Sequence, residues 1–270
     1  MSIRPERATE LLRLHQGGAR ILLVINAWDV ASAKLVEELG SPCVATTSGG
    51  VAAAHGYADG ERIDRETVLR AVARIVDGVS VPVTADLEAG YGATPEDVAE
   101  TVRLALAAGV AGFNLEDGCP PAERARAVIR DVAEQAERLR AAREACESAG
   151  VPDAVINARI DVFLREVSDP ARRIDLALER AAAYAAAGAR CVFPIGVRDP
   201  TAIRELAAGS ALPVNVLALP GVPPVRELEA MGVRRVSVGT GLLRCALRAA
   251  RRAASELREL GTYGTLFGDA

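Results

Sequence analysis

The stretches VPVTADLE (81–88) and VAGFNLE (110–116) each end an apolar run in acids, and Asp86 and Glu116 lie thirty positions apart. Side chains alternate along a strand, so Asp86 and Glu88 are expected on one face, as are Asn114 and Glu116. Thirty residues is about one strand–helix–strand step, which makes the two runs neighbours in a parallel sheet. Several carboxylates would then crowd one mouth. Two of them about 5 Å apart repel by roughly 3 kcal/mol at an effective dielectric of about 20. A bound divalent cation is the common way to reverse that sign.

Outward from this pair the same unit repeats. Eight apolar, β-branched runs can be read: LLVIN (22–26), CVATT (43–47), VPVTAD (81–86), VAGFNLE (110–116), AVINAR (154–159), RCVFP (190–194), LPVNVLA (212–218) and RRVSVG (234–239). Helical patterns lie between them. Over 64–77, Val68, Leu69, Val72, Ile75 and Val76 form one apolar stripe. Thr94-Pro95 opens the next helix, Thr as N-cap and Pro at the first helical position, and Asp169-Pro170 and Asp199-Pro200 repeat that signal. Gly40, Gly78, Gly109, Gly150, Gly188, Gly209 and Gly232 each stand where a helix would close on a left-handed cap. Eight strand–helix units without an obvious linker favour a single α/β domain over residues 1–270, a TIM-type (β/α)8 barrel. Residues 241–270 form its extended C-terminal helix and tail. The stripe Leu243, Leu247, Ala250, Ala254 and Leu257 either covers the barrel or packs on another subunit.

Composition narrows the classes. Half of the 270 residues are hydrophobic, a quarter are charged, and the net charge is −4. No basic stripe suggests a nucleic-acid partner, no apolar stretch reaches the roughly 20 residues that span a bilayer, and the charged start MSIRPERATELLRLHQGG lacks a signal-peptide core. Five cysteines without a CxxC pair read as reduced thiols in a cytoplasmic protein. Lys34, the single lysine, falls inside a helix, which argues against a Schiff-base aldolase. With only His15 and His55, a three-histidine zinc site is impossible.

In a barrel of this kind the chemistry sits at the carboxyl ends of the strands. Those ends read Asn26-Ala27-Trp28-Asp29, Thr47-Ser48-Gly49-Gly50, Asp86-Leu87-Glu88, Asn114-Leu115-Glu116-Asp117, Asn157-Ala158-Arg159 and Asn215. Asp29, Asp97, Asp169 and Asp199 have a capping role open to them. Asp86 with Glu88 does not, because two acids on an inward face serve no cap. Ser48-Gly49-Gly50 reads as a turn whose amides can approach an anion. Arg159, on the inward phase, suits a carboxylate, from a ligand or from the neighbouring acids. Cys119, in the loop behind the acidic strand end, is the one thiol near the expected site.

The segments NAWDVASAKLVEELG, TTSGGVAAAHGYADGE, VPVTADLEAGYG, GFNLEDG and INARIDVFL together resemble the isocitrate lyase and phosphoenolpyruvate mutase superfamily, from about Asn26 to 234–239. The resemblance implies an α/β barrel in a homo-oligomer, a dimer or tetramer, with exchanged last helices. It also implies Mg2+ or Mn2+ and an enolate-like intermediate of an α-keto or α-hydroxy acid. By motif, Asp86 ligates the metal, and Asp59, Glu88 and Glu116 hold it, partly through water. Asp59, Glu116 and Arg159 become the catalytic groups. Trp28, Ser48, Gly49, Gly50, Arg159 and Asn215 contact the substrate. One departure stands out: the loop after Glu116 reads DGCPPAERAR, without the Lys-Cys-Gly-His motif of the isocitrate and methylisocitrate lyases. The leading expectation is a Mg2+-dependent carbon–carbon lyase of 2-methylisocitrate-lyase type, acting on a small di- or tricarboxylate. Oxaloacetate-type decarboxylation comes next, then a phosphonate mutase or hydrolase. A non-catalytic α-keto acid binder is the rival of another class. The loop at 118–130 is expected to close over the site and set specificity.

Overall fold

Each of the eight apolar runs contributes a strand: β1 Leu22–Ala27, β2 Val44–Thr46, β3 Val83–Asp86, β4 Gly112–Glu116, β5 Val155–Ile160, β6 Cys191–Pro194, β7 Asn215–Leu217 and β8 Arg235–Ser237. The computed structural model describes residues 2–16, 20–123 and 128–268. All strand pairs are parallel, in the order β6-β5-β4-β3-β2-β1-β8-β7. A single bridge between Val192 and Val214 brings the two outermost strands together, and the Val192 N–H donates to Pro213 O at 3.0 Å. The sheet is therefore a nearly closed barrel, and the buried apolar residues around it form one hydrophobic cluster.

The surrounding helices are α1 Pro5–Gln16, α2 Val30–Glu38, α3 Ser48–Ala54, α4 Arg65–Gly78, α5 Pro95–Ala107, α6 Val132–Ser148, α7 Arg173–Ala186, α8 Pro200–Gly209, α9 Val225–Ala230, α10 Gly241–Leu260 and α11 Gly264–Phe267. Their starts follow the sequence signals. Thr94 and Asp97 form a reciprocal capping box, and Asp29, Asp64 and Asp199 each accept a backbone N–H at a helix start. The whole predicted stripe of α4 is buried. Asp169 caps a 3-10 turn at Pro170–Arg172 rather than the α-helix, which begins at Arg173.

Two glycines correct the expectation of left-handed caps. Gly78 and Gly209 are the last residues of their helices and are absent from the positive-φ residues, unlike the other five. Close approach explains them instead: a Cβ at Gly78 would lie 2.7 Å from Val30 Cγ1, and one at Gly209 would lie 2.9 Å from Leu178 Cδ1. The N-terminal α1 buries Ala8, Leu11 and His15 against the barrel, and Leu11 lies against Gly112 at the start of β4. Among the described residues no helix is long and apolar enough to cross a membrane.

Of α10 only Ala253 is buried, while Leu247 and Leu257 of its stripe are exposed. Leu243, at its start, is half-buried and lies near Gly50.

Candidate active site

Register builds the site. Asp86 of β3 pairs with Asn114 of β4, and Asn114 pairs with Asn157 of β5, so three inward polar side chains share one level. Asn157 Nδ2 donates to Asn114 Oδ1 at 2.8 Å, and Asn114 Nδ2 reaches Asp86 Oδ1 at 3.4 Å. The other Asp86 oxygen accepts the Ser48 backbone N–H at 3.0 Å. The Asp86 N–H in turn donates to Thr46 Oγ1 at 2.9 Å. Asn26 ties the opposite flank together: its Nδ2 donates to Thr46 O at 2.8 Å, and its Oδ1 accepts the N–H groups of Val238 and Gly239, both at 2.9 Å.

These residues surround a cavity of about 170 Å³ at the carboxyl end of the strands. Ser48, Asp59, Asp86, Asn114 and Arg159 form one side, Leu164, Phe193, Ile195 and Leu217 the other, and Arg235 also lines it. Sequence reasoning did not single out the apolar side or Arg235. The inward phase of RRVSVG, which Arg235 shares with Ser237, was the available signal for the arginine.

The acids divide into two kinds. Asp59 and Asp86 line the cavity. Burial, then the neighbouring Asp86, pushes the Asp59 carboxyl above the ordinary range. Glu88 and Glu116 stand beside the cavity with partners of their own. The strand ends at Asp86 and Glu88 has φ +50, so alternation does not extend to it. Its carboxylate accepts the Glu61 N–H at 2.8 Å and the Tyr91 hydroxyl at 2.9 Å. Burial, Asp86 and Asp59 together raise it to about 7.

Glu116 pairs directly with Arg159. Burial drives its carboxyl well above its ordinary value, against the pull of Arg159. Arg159 also grips Asp161 with both ends of its fork, Nε to Oδ1 at 2.7 Å and Nη2 to Oδ2 at 3.1 Å. Burial opposes its charge, but Asp161 and Glu116 outweigh that and hold it protonated. Of the two partners open to Arg159, the structure gives it the neighbouring acids. Asp161, buried and central to this network, was not singled out from sequence.

Asp117 points away from the cavity, to Arg180, Tyr184 and the Asp161 N–H. The Ser48-Gly49-Gly50 segment is the first turn of α3 rather than a free turn. Its glycines answer crowding: a Cβ at Gly49 would lie 3.0 Å from Thr240 Cγ2, and one at Gly50 would lie 2.9 Å from Trp28 Cβ. Trp28 lines a different cavity, of about 480 Å³, with His55, Arg70 and Arg74. Asn215 is buried at the start of β7, where its Oδ1 accepts the Ser237 hydroxyl at 3.3 Å, and it does not line the 170 Å³ cavity. Cys119 is buried and also stands apart from that cavity. Its loop is pinned at the base by an antiparallel bridge between Gly118 and Ile129, while 124–127 of the expected closing loop lie outside the described residues.

The donors around Asp86 suit a hard cation, because Asp59, Asp86, Ser48 and Asn114 bring oxygens to the cavity. Burial first, and then the charge on Asp86, pushes up both Asp59 and Glu88, and the second of these is an imbalance that a cation corrects. Among the described residues, no three His, Cys, Asp or Glu side chains gather tightly enough to enclose an ion by themselves. The expected grouping of Asp59, Asp86, Glu88 and Glu116 is therefore open rather than a cage. It fits an ion that touches few side chains and keeps water, as Mg2+ does.

Known proteins share this architecture. The profile of the phosphoenolpyruvate phosphomutase family matches residues 11–258. The chain is 34% identical to 2,3-dimethylmalate lyase of Eubacterium barkeri, over 79% of this chain and 73% of that one. It is 30% identical to 2-methylisocitrate lyase of Escherichia coli (strain K12), over 89% of this chain and 81% of that one. A crystal structure from Burkholderia cenocepacia J2315 superposes with a TM-score of 0.86 at 42% identity, covering 96% of this chain and 99% of that one. A barrel with its acids at the strand ends, a profile match over most of its length and relatives named as lyases lead to one assignment: the chain belongs to the phosphoenolpyruvate phosphomutase family, within the isocitrate lyase superfamily, and is an enzyme of its lyase and mutase type.

Proposed function

We propose that the protein is a Mg2+- or Mn2+-dependent carbon–carbon lyase that cleaves a small 2-hydroxy di- or tricarboxylate, in the manner of 2-methylisocitrate lyase. The observation that carries this reading is that Asp86 and Asp59 line one cavity, where burial and then the charge on Asp86 push the Asp59 carboxyl up. When bound, the ion supplies positive charge where an oxyanion develops. Asp86 and Asp59 would hold it, with Glu88 and Glu116 behind them.

The residues of the chain do the remaining work. Ser48 and Asn114 orient the acid head, while Arg159, fixed by Asp161 and Glu116, keeps that wall rigid. Asp59, with its raised affinity for a proton, takes the proton of the 2-hydroxyl. The bond between C2 and C3 then breaks, C2 becomes a carbonyl, and the electron pair passes to C3, next to its own carboxylate. C3 finally takes a proton.

The source of that last proton supports a second reading. The Lys-Cys-Gly-His loop is missing, and Cys119 does not line the cavity. Decarboxylation of an oxaloacetate-like acid uses the same groups, and water can protonate its enolate. A catalytically silent binder of α-keto acids would also lack a protonating group. One screen separates these readings: purified protein with Mg2+, and again after EDTA, against 2-methylisocitrate, 2,3-dimethylmalate, isocitrate, oxaloacetate and phosphonopyruvate. Release of a 2-oxo acid from a hydroxy acid, lost with EDTA, is the expected result. Carbon dioxide release from oxaloacetate alone selects the second reading, and no product from any of them overturns both.

A further inference from the structure

One charge inside the barrel has nothing beside it to balance it. Two guanidinium groups line the cavity, those of Arg159 and Arg235. Arg159 is occupied by Glu116 and Asp161. Arg235 is 1% exposed, and none of the ion pairs among the described residues includes it. Its one hydrogen bond among the described residues runs from Nη1 to His15 Nε2 at 3.4 Å, and its Nε has no partner. Burial works against the charge, yet a guanidinium does not give up its proton in a protein.

The groups around it supply no negative charge. His15 Nδ1 lies 2.7 Å from Leu11 O, so that nitrogen carries the hydrogen and Nε2 presents a bare lone pair to the guanidinium. Burial, then Arg235, pushes His15 down to about 4, which leaves it neutral. Cys43 and Cys191, the thiols close enough to feel Arg235, are both pushed up to about 11 by burial and are neutral too. Asn215, paired with Arg235 in register on β7, leaves its own donor Nδ2 without an acceptor. Asn157 Oδ1 and Thr84 Oγ1 are unpartnered as well, on β5 and β3. Water satisfies atoms of this kind, but it does not balance a charge that burial has stripped of solvent. An anion does.

We propose that Arg235 receives the second carboxylate of the substrate: the acid head lies against Ser48 and Asn114, and the far carboxylate against this guanidinium. This rests on the reading of the cavity as a site for 2-oxo and 2-hydroxy acids, and it makes Arg235 the residue that selects diacids over monoacids. A pair of arginine and carboxylate is charge-assisted and directional, and a low local dielectric strengthens it. Turning the guanidinium towards a ligand gives up only the long 3.4 Å bond to His15.

Calorimetry on the intact protein with Mg2+ tests this with two matched pairs of acids, oxaloacetate with 2-oxobutyrate and malate with 2-hydroxybutyrate. Within each pair a carboxylate stands where the other acid has a methyl group. The diacid is expected to bind about 10- to 100-fold tighter, the worth of hydrogen bonds to a charged group. Arg235→Met should erase that preference and leave the monoacids unchanged. Its melting temperature should hold or rise, because the variant removes an unbalanced buried charge, whereas a purely structural arginine would give a fall. If that variant does not fold, Arg235→Lys takes its place: it keeps the charge, loses the fork and should narrow the preference. Equal binding of diacid and monoacid by the wild type overturns the inference. A preference that survives the substitution unchanged, or an equal loss for all four acids, overturns it as well, and each of these results leaves the lyase proposal standing. Binding of none of the four removes the oxo-acid reading and this inference together. The expected preference without turnover of any hydroxy acid keeps the inference and removes the lyase.

Discussion

Asp117 and Arg180 meet behind the site, Oδ2 to Nη1 at 2.9 Å, with the carboxylate wholly buried and the guanidinium nearly so. The Tyr184 hydroxyl donates to the same oxygen at 2.8 Å, and the Asp161 N–H to the other at 2.8 Å. This buried knot ties the end of β4 to α7 and to the residue that holds Arg159.

Removing one partner of such a pair leaves an uncompensated charge. Asp117→Ala is therefore expected to cost about 3–5 kcal/mol of stability. Urea unfolding followed by circular dichroism measures it, and an unchanged midpoint would show that the knot contributes nothing.

Asp86→Ala should behave in the opposite way. Even groups that only support a metal ligand are worth about 10–100-fold in activity, so turnover should fall by more than about 100-fold. Stability should hold or rise, because the charge that pushes up Asp59 and Glu88 is gone. Full activity of this variant in EDTA would refute the assigned role.

Glu88 makes stability depend on pH. Its folded value of about 7 stands above the ordinary 4.5, so the folded protein keeps this proton longer than the unfolded chain does. Its contribution is complete below about 4.5 and is lost as pH rises towards about 7, on the order of 3 kcal/mol. Glu88→Gln should flatten that part of the curve. Mg2+ should reverse the trend and raise the melting temperature more at pH 8 than at pH 5; equal shifts at both would count against an ion near these carboxyls.

The helix α10 and the short α11 leave Leu247, Leu257, Leu260 and Phe267 in solvent, with Leu260 73% exposed. A run of apolar side chains of this kind marks a contact surface. We expect residues 241–270 to pack on another copy of the chain, as the sequence reading proposes. Light scattering should give a mass above that of one chain, and Leu257→Glu should lower it. A wild-type protein of one-chain mass would exclude the contact.

The strands were legible because each is a continuous apolar run bounded by caps and glycines, and parallel strands buried on both faces have that appearance. Asp86, Asn114 and Arg159 were legible for a related reason: strand alternation carried them to the interior of the barrel. It failed at Glu88, one step past the strand, where a left-handed residue breaks the period. It also could not show that Ser48 starts a helix, or that Trp28 turns to a neighbouring cavity, because tertiary packing decides both. Gly78 and Gly209 were read as caps since helix ends favour glycine; the contacts that require them come from distant side chains. The partners of Arg159 lie on two different strand ends, which no local pattern distinguishes from a ligand.

The bridge between Val192 and Val214 is the thinnest seam of the ring, one pairing where β4 and β5 share five. The strands it joins carry Phe193 and Leu217, whereas Asp86 and Asn114 stand on fully laddered neighbours. Local opening is easiest where backbone pairing is sparse. We expect the ring to open most readily beside Phe193 and Leu217 and to stay closed around Asp86 and Asn114.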